Sequence, residues 1–363
     1  MPHLSPAPDA PTAPAGPQPR SGVLLVNLGS PADPGVPAVR RYLREFLSDP
    51  RVIDIPPAGR ALLLNLIILP FRPRQSSRAY RSIWTEEGSP LIVHSRRLAE
   101  AVARQLEPGI PVALAMRYGE PSIRRVLDAL RERGADRIVI FPLYPQLASS
   151  TTGTVLEKVF EEASRRWNVP DLVTVPPFYR EPGLAGSFAA VGRPLLESFR
   201  PDHVLMSFHG LPERHVRKSD PTGTHCLASA ACCERMTGAN RFCYRAQCFD
   251  TARRIAGELS LPEGSMTVTF QSRLGRTPWI RPYTDLTLAE LPGRGVKRVA
   301  VFCPSFVADC LETLEEIGIR GREQFRAAGG EDLLLVPSLN EHPEWVETVV
   351  RLAHREIRKG TVT

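Results

Sequence analysis

Lysine is scarce in this chain: of 46 basic residues only Lys158, Lys218, Lys297 and Lys359 are lysine, and the rest are arginine. The arginines are interspersed with acids along the whole chain and form no blocks. A net charge of +7 spread this way argues against a nucleic-acid-binding surface. Long apolar runs are missing too. The longest, Ala61–Phe71, falls far short of the roughly 20 residues that span a bilayer, and a chain 42% hydrophobic and 23% charged is neither a polytopic membrane protein nor wholly disordered. No basic start followed by an apolar stretch marks a signal peptide. The expected compartment is therefore the cytoplasm, where cysteines serve as thiols or metal ligands rather than disulfides. Neither GxGxxG nor GxxxxGK[ST] occurs. The turn after the first strand, NLGSP, carries a single glycine, which excludes a dinucleotide dehydrogenase of the usual kind.

What is present is an alternation. The expected strands are Val23–Leu28, Val112–Met116, Arg137–Leu143, Leu172–Val175, His203–Phe208, Met266–Gln271, Arg298–Cys303 and Leu333–Val336. Amphipathic stretches at Ser95–Leu106, Pro121–Arg133, Gly153–Trp167, Pro182–Phe199 and Ala246–Leu259 read as helices. Nearly continuous apolar strands separated by helices predict an α/β protein with parallel sheets covered on both faces. A length of 363 residues suits two domains. Four strands precede Pro176 and four follow it, which predicts two Rossmann-like halves, residues 21–170 and 171–342, with a cleft between them. Residues 1–20, rich in Pro and Ala, read as a disordered tail. A last helix within 343–363 is expected to pack back on the first half.

Ligands in such folds bind beyond the carboxyl ends of strands, and the chemistry-bearing residues cluster there. His209 ends the strand VLMSF on a His-Gly-Leu-Pro turn. It reads as a proton acceptor or metal ligand, or as a turn histidine bonded to backbone. Glu312, Glu315 and Glu316 fall on one face of an α-helix, where they would attract cations or form a solvated acidic surface. RYGEPS (117–122) and YPQLASSTTGT (144–154) each follow a strand. The hydroxyls of the second suit an anion or an ordinary helix cap. Residues 53–84 set an apolar stretch beside Arg60, Arg72, Arg74, Arg78 and Arg81, as in a pocket lip, a membrane-surface segment or a buried helix with a charged end. Five of the seven cysteines are spaced C-x5-C-C-x9-C-x4-C between Cys226 and Cys248. Such a set suits a [2Fe–2S] cluster or zinc, and only one pair approaches zinc-site spacing.

Taken together, VLLVNLGSP, YRSIW…GSPL, RYG, YPQ…SSTTG, SFHGLP, FQSRLGRTPWIRPYTD, CPSFVADCLETLEEI and SLNEHPEW, in this order, resemble the ferrochelatases. The resemblance runs through most of the chain from Gly22. It implies two chelatase-type domains around a porphyrin cleft, and insertion of Fe(II) into protoporphyrin IX with release of two protons. A coproporphyrin ferrochelatase or a related tetrapyrrole chelatase is the alternative. By position, His209 would be the active-site histidine and Glu312 the facing acid, both meeting the substrate Fe2+, with Glu316 continuing an acidic path. Leu28, Tyr80, Arg117, Tyr118, Tyr144, Ser150, Gln271, Ser272, Trp279 and Cys310 match porphyrin-pocket positions. Residues 53–84 match a mobile lip that meets a membrane surface peripherally. The cysteine-rich insert, 222–248, resembles that of a bacterial subgroup holding a [2Fe–2S] cluster, with Cys226, Cys233, Cys243 and Cys248 as ligands and Cys232 as the alternative to Cys233. The implied partners are a porphyrin and ferrous iron, with the protein a monomer or homodimer.

Overall fold

A computed structural model describes residues 20–275 and 277–359. The Pro/Ala-rich segment 1–20 therefore lies, Arg20 excepted, outside the described residues. Eight strands form two parallel sheets. β1 (Ser21–Asn27), β2 (Val112–Met116), β3 (Arg137–Pro142) and β4 (Asp171–Thr174) are ordered β2-β1-β3-β4. β5 (His203–His209), β6 (Met266–Gln271), β7 (Arg298–Phe302) and β8 (Asp332–Leu335) repeat the pattern as β6-β5-β7-β8. All eight expected strands are present, with ends shifted by at most two residues. Each sheet reverses its winding at the central pair, β1/β3 and β5/β7, and ligand crevices open beyond the carboxyl ends at such a reversal.

The helices fall in chain order. The first half holds α1 (Val36–Ser48), α2 (Pro57–Leu62), α3 (Leu69–Ile83), α4 (Pro90–Gln105), α5 (Ile123–Glu132) and α6 (Thr154–Ser164). The rest are α7 (Pro182–Phe199), α8 (Glu213–Lys218), α9 (Tyr244–Glu258), α10 (Thr284–Glu290), α11 (Leu311–Thr313), α12 (Arg322–Ala327) and α13 (Pro343–Arg358). Wider π-helical turns occupy Leu63–Ile68, Ser149–Gly153 and Leu314–Gly321. The first has a local cause. Pro70 and Pro73 have no N–H to return to the preceding turn, and the Leu69 N–H bonds instead to Leu64, five residues back.

Strand alternation sorts the core. Val23 and Leu25 of β1, Val139 and Phe141 of β3, and Met206 and Phe208 of β5 all face one shared core, with α7 and α13 packed into it. Their neighbours point the other way: Leu24, Val26, Ile138 and Ile140 into an outer core of the first sheet, and Leu205, Val299 and Val301 into that of the second. The inner faces of both sheets thus share one body of apolar side chains, and this holds the two crevices in a constant relation. α13 lies against α4 and α7 and buries Trp345 fully, 5.7 Å from the Phe178 ring.

Gly192 of α7 lies directly on Phe302 of β7. A Cβ there would come within 2.4 Å of the ring. Gly192→Ala should therefore destabilise the protein by about 1–3 kcal/mol through overpacking, although alanine favours an exposed helix by about 1 kcal/mol. Urea unfolding gives the sign.

Candidate active site

The carboxyl ends of the two sheets enclose a cavity of about 1230 Å³, counting the solvent at its open mouth. Leu28 and Tyr144 line it from beyond β1 and β3, and His209 and Ser305 from beyond β5 and β7. Leu91, Leu143, Leu211, Phe306 and Val307 make most of the wall apolar. No arginine or lysine stands among the described lining residues.

His209 is the last residue of β5, in register with Gln271. Its backbone N–H donates to Ser305 Oγ (3.0 Å), and its Nδ1 lies 2.6 Å from the Gly210 carbonyl. A carbonyl only accepts, so this contact puts the proton on Nδ1 and leaves the Nε2 lone pair free. Gly210 is required: a Cβ there would stand 2.8 Å from the Gln271 carbonyl. The Trp279 and Phe306 rings lie 6.4 and 6.2 Å from the imidazole.

Glu312 comes from α11. Its backbone carbonyl accepts from Gln271 Nε2 (2.7 Å), and Gln271 in turn accepts from Ser207 Oγ (2.7 Å). Burial, and then the Glu312 charge, push the Cys310 thiol and the Tyr80 phenol well above their ordinary values. Tyr42 is raised by burial, by Tyr80 and by Glu312. Glu312 is thus ringed by groups that stay neutral. Glu316 is gripped by Ser272, whose N–H and Oγ donate to its two carboxylate oxygens at 2.8 and 2.6 Å. Glu315 does not share this face; it pairs with Arg320 (3.0 Å). The expected three-glutamate face supposed α-helical geometry. Along the π turn, bonded five residues back, Glu316 meets Ser272 and Glu315 meets Arg320, and of the three glutamates Glu312 alone lines the cavity.

Six of the porphyrin-pocket candidates line the cavity: Leu28, Tyr80, Tyr144, Ser150, Trp279 and Cys310. The Tyr144 hydroxyl has no hydrogen-bond partner among the described residues. Arg117, Tyr118, Gln271 and Ser272 stand behind the wall and do not line it. Sequence reasoning missed what holds two of them, Asp49. It accepts from Arg117 (2.6 Å), the Tyr118 hydroxyl (2.9 Å), the Arg51 N–H (2.7 Å) and Thr154 Oγ1. Burial alone would raise its pKa. Hydrogen bonds from Thr154, Arg51 and Tyr118 and the Arg117 charge outweigh that and hold the carboxyl below its ordinary value. Its setting, FLSDPRV, carries no distinguishing signal. Asp54, also missed, ties the cavity mouth to α8 through Arg214, His215 (2.9 Å) and Lys218 (2.8 Å).

The five clustered cysteines are all buried and free. Cys232 and Cys233 stand 3.6 Å apart. Asn240 braces the loop by donating to the Cys232 and Arg235 carbonyls (2.9 and 2.8 Å). Burial pushes the Cys226 thiol up to about 11. Among the described residues no group of three or more His, Cys, Asp and Glu is gathered closely enough to hold a metal ion. The lip helices α2 and α3 leave Leu62, Leu66, Ile67 and Phe71 exposed, and no described helix is long and apolar enough to cross a membrane.

Two four-stranded parallel sheets closing on an apolar cavity have the architecture of the tetrapyrrole chelatases. The sirohydrochlorin chelatase SirB from Bacillus subtilis subspecies spizizenii, solved with cobalt, superposes with a TM-score of 0.54 over 94% of this chain and 97% of that one, at 11% identity. SirB from Bacillus subtilis with Fe3+ superposes at 0.51 and 13% identity over 94% and 95%. The family model "Ferrochelatase" matches residues 20–357. The ferrochelatase of Pseudomonas fluorescens (strain Pf0-1) is 52% identical over 334 residues, 92% of this chain and 97% of that protein. That of Coxiella burnetii (strain Dugway 5J108-111) is 48% identical over 337 residues, 93% and 94%. The chain belongs to the ferrochelatase family. Its activity is the insertion of iron into a porphyrin, a step of haem biosynthesis.

Asp49→Asn leaves Arg117 partly buried without its counter-charge and should cost about 3–5 kcal/mol, read from the urea midpoint at pH 7. The depressed carboxyl contributes stability that is full above its unfolded pKa, about 3.9, and is lost as pH falls through the lower folded value. The variant's stability should accordingly fall less steeply than wild type below pH 4.

Proposed function

We propose that this chain inserts Fe(II) into protoporphyrin IX, with His209 accepting the two pyrrole protons in turn. The tautomer set by the Gly210 carbonyl supports this, because it offers an unprotonated Nε2 at an apolar cavity. A free-base porphyrin holds two N–H protons inside a planar ring. Insertion needs the ring bent, so that a nitrogen lone pair meets the metal. Close apolar walls that fit a bent ring better than a flat one use binding energy to favour that shape. Glu312 faces the same cavity and, with Glu316 further along the π turn, passes iron inward or protons outward. Iron(II) takes nitrogen and oxygen ligands readily. Leu28, Tyr80, Tyr144, Ser150, Trp279 and Cys310 contact the macrocycle. Arg117, Tyr118, Gln271 and Ser272 act from behind it by fixing the loops that do. A lining without arginine or lysine favours the two-propionate protoporphyrin over coproporphyrin, which carries four. The exposed lip side chains meet a membrane surface, where a sparingly soluble porphyrin is found.

Exchanging His209 for alanine should lower kcat by at least about 100-fold, the lower range for a general base. The folded state should be unchanged. Glu312→Gln should lower iron insertion by a comparable factor. Both are followed by the Soret shift on metallation. Wild-type rates in His209→Ala would overturn the assignment.

The cysteine-rich segment is read as the seat of a [2Fe–2S] cluster held by Cys226, Cys233, Cys243 and Cys248, with Cys232 in place of Cys233 as the variant. The donor chemistry fits. The thiols are buried and free, and each iron of such a cluster takes two protein sulfurs. When bound, the group would brace the segment; iron insertion itself changes no oxidation state. Anaerobically purified protein should contain two irons and two inorganic sulfides per chain with visible absorbance beyond porphyrin, and Cys243→Ser should lose both. Colourless wild-type protein would overturn this part alone.

A further inference from the structure

The cysteine-rich segment and the reacting histidine are joined through one side chain. Tyr244 is the first residue of α9 and directly follows Cys243, which caps that helix. Its ring lines the porphyrin cavity. Its hydroxyl donates to the backbone carbonyl of His209 at 2.9 Å. Cys248 stands one turn further along α9, on the same face of the helix as Tyr244. Tyr244 is therefore flanked by two cysteines of the segment and bonded to the residue on which the chemistry turns.

The His209 peptide is held from two sides. Ser305 accepts its N–H and Tyr244 donates to its carbonyl. Both clamps lie at the cavity, but they come from different elements. Ser305 follows β7 and is positioned by the sheet. Tyr244 is positioned by the start of α9. That start is anchored by Gln247, which accepts from the Leu147 N–H (2.7 Å) and donates to the Arg241 carbonyl inside the segment (2.9 Å). Asn240 fixes the preceding turn. An O–H···O hydrogen bond spans about 2.5–3.0 Å and weakens steeply as its angle falls below about 120°, so a small displacement of the segment is enough to release one side of the His209 clamp.

We propose that Tyr244 is a positioning residue for His209 and that it couples the packing of the cysteine-rich segment to iron insertion. With the segment packed as it is, the hydroxyl holds the His209 carbonyl, and the imidazole keeps its Nδ1 contact to Gly210 with Nε2 free. When the segment loosens, the carbonyl is released, the turn loses its second anchor, and the imidazole is no longer held in place. Porphyrin affinity depends on the ring of Tyr244 rather than its hydroxyl, so the two functions separate. The inference rests on His209 acting as the base proposed above.

The experiment uses the full-length protein with ferrous iron and protoporphyrin IX. Tyr244→Phe removes the hydroxyl and keeps the wall. kcat should fall roughly 3- to 10-fold, the worth of one such hydrogen bond, with KM for porphyrin within about twofold of wild type. Tyr244→Ala should raise KM as well, because the wall is lost. Cys248→Ala should lower kcat in the same sense, and the double variant Tyr244→Phe/Cys248→Ala should lose less than the product of the two single losses. If Cys248→Ala does not fold, Cys248→Ser takes its place in the cycle. Wild-type kcat in Tyr244→Phe, an equal rise of KM in Tyr244→Phe and Tyr244→Ala, or independent losses in the cycle would each overturn the proposal. The two readings fail separately. An active His209→Ala removes the base, whereas an inactive His209→Ala beside a fully active Tyr244→Phe removes only the coupling.

Discussion

The buried carboxamide of Gln271 holds the site together. Its backbone pairs with His209 at the end of β5, and its side chain donates to the Glu312 carbonyl while accepting from Ser207. The histidine and the acid come from sequence positions about a hundred residues apart, and this one amide refers both to the same strand end. Such a group is costly to bury unless every partner is in place. Its satisfaction therefore reports that β5, β6 and the helix carrying Glu312 are correctly assembled. On the opposite wall Asp49 does the same work. It gathers Arg117 and Tyr118 from the turn after β2 and Thr154 from the start of α6, and holds the first half's side of the cavity.

Both hubs depend on the shared core. Because the inner faces of the two sheets pack into one body of side chains, their carboxyl ends stay opposed. Exposed apolar side chains are left to the rim. The lip carries exposed Leu66 and Phe71 and a π turn imposed by Pro70 and Pro73. The other π turns lie in the Tyr144–Thr154 loop region and in the acidic helix. Wide turns of this kind occur often at functional sites. In the acidic helix the glutamates take separate partners: Glu312 lines the cavity, Glu316 bonds Ser272 and Glu315 bonds Arg320.

Much of this was legible in the sequence. Apolar runs such as Val23–Val26 and Val299–Phe302 are buried on both faces, and that burial is what a continuous run records. His209 was legible because it ends such a run at a His-Gly turn, where a ligand crevice must lie. Asp49 and Asp54 were not. An aspartate before proline looks like any loop residue, and its worth comes from partners dozens to more than a hundred positions away. Glu315 was misplaced for a related reason. Nothing in LETLEEIG shows that the turn is wider than α-helical.

The sequence by itself determined the fold class, the succession of the strands along the chain and the family. These follow from local periodicity and from the order of short motifs, both properties of the chain alone. Only the tertiary structure decided which candidates form the wall and which stand behind it. It also decided which ring nitrogen of His209 is free, and that Tyr244 joins the cysteine segment to that histidine. Those are matters of distance between segments remote in sequence, and a one-dimensional pattern carries no such distances.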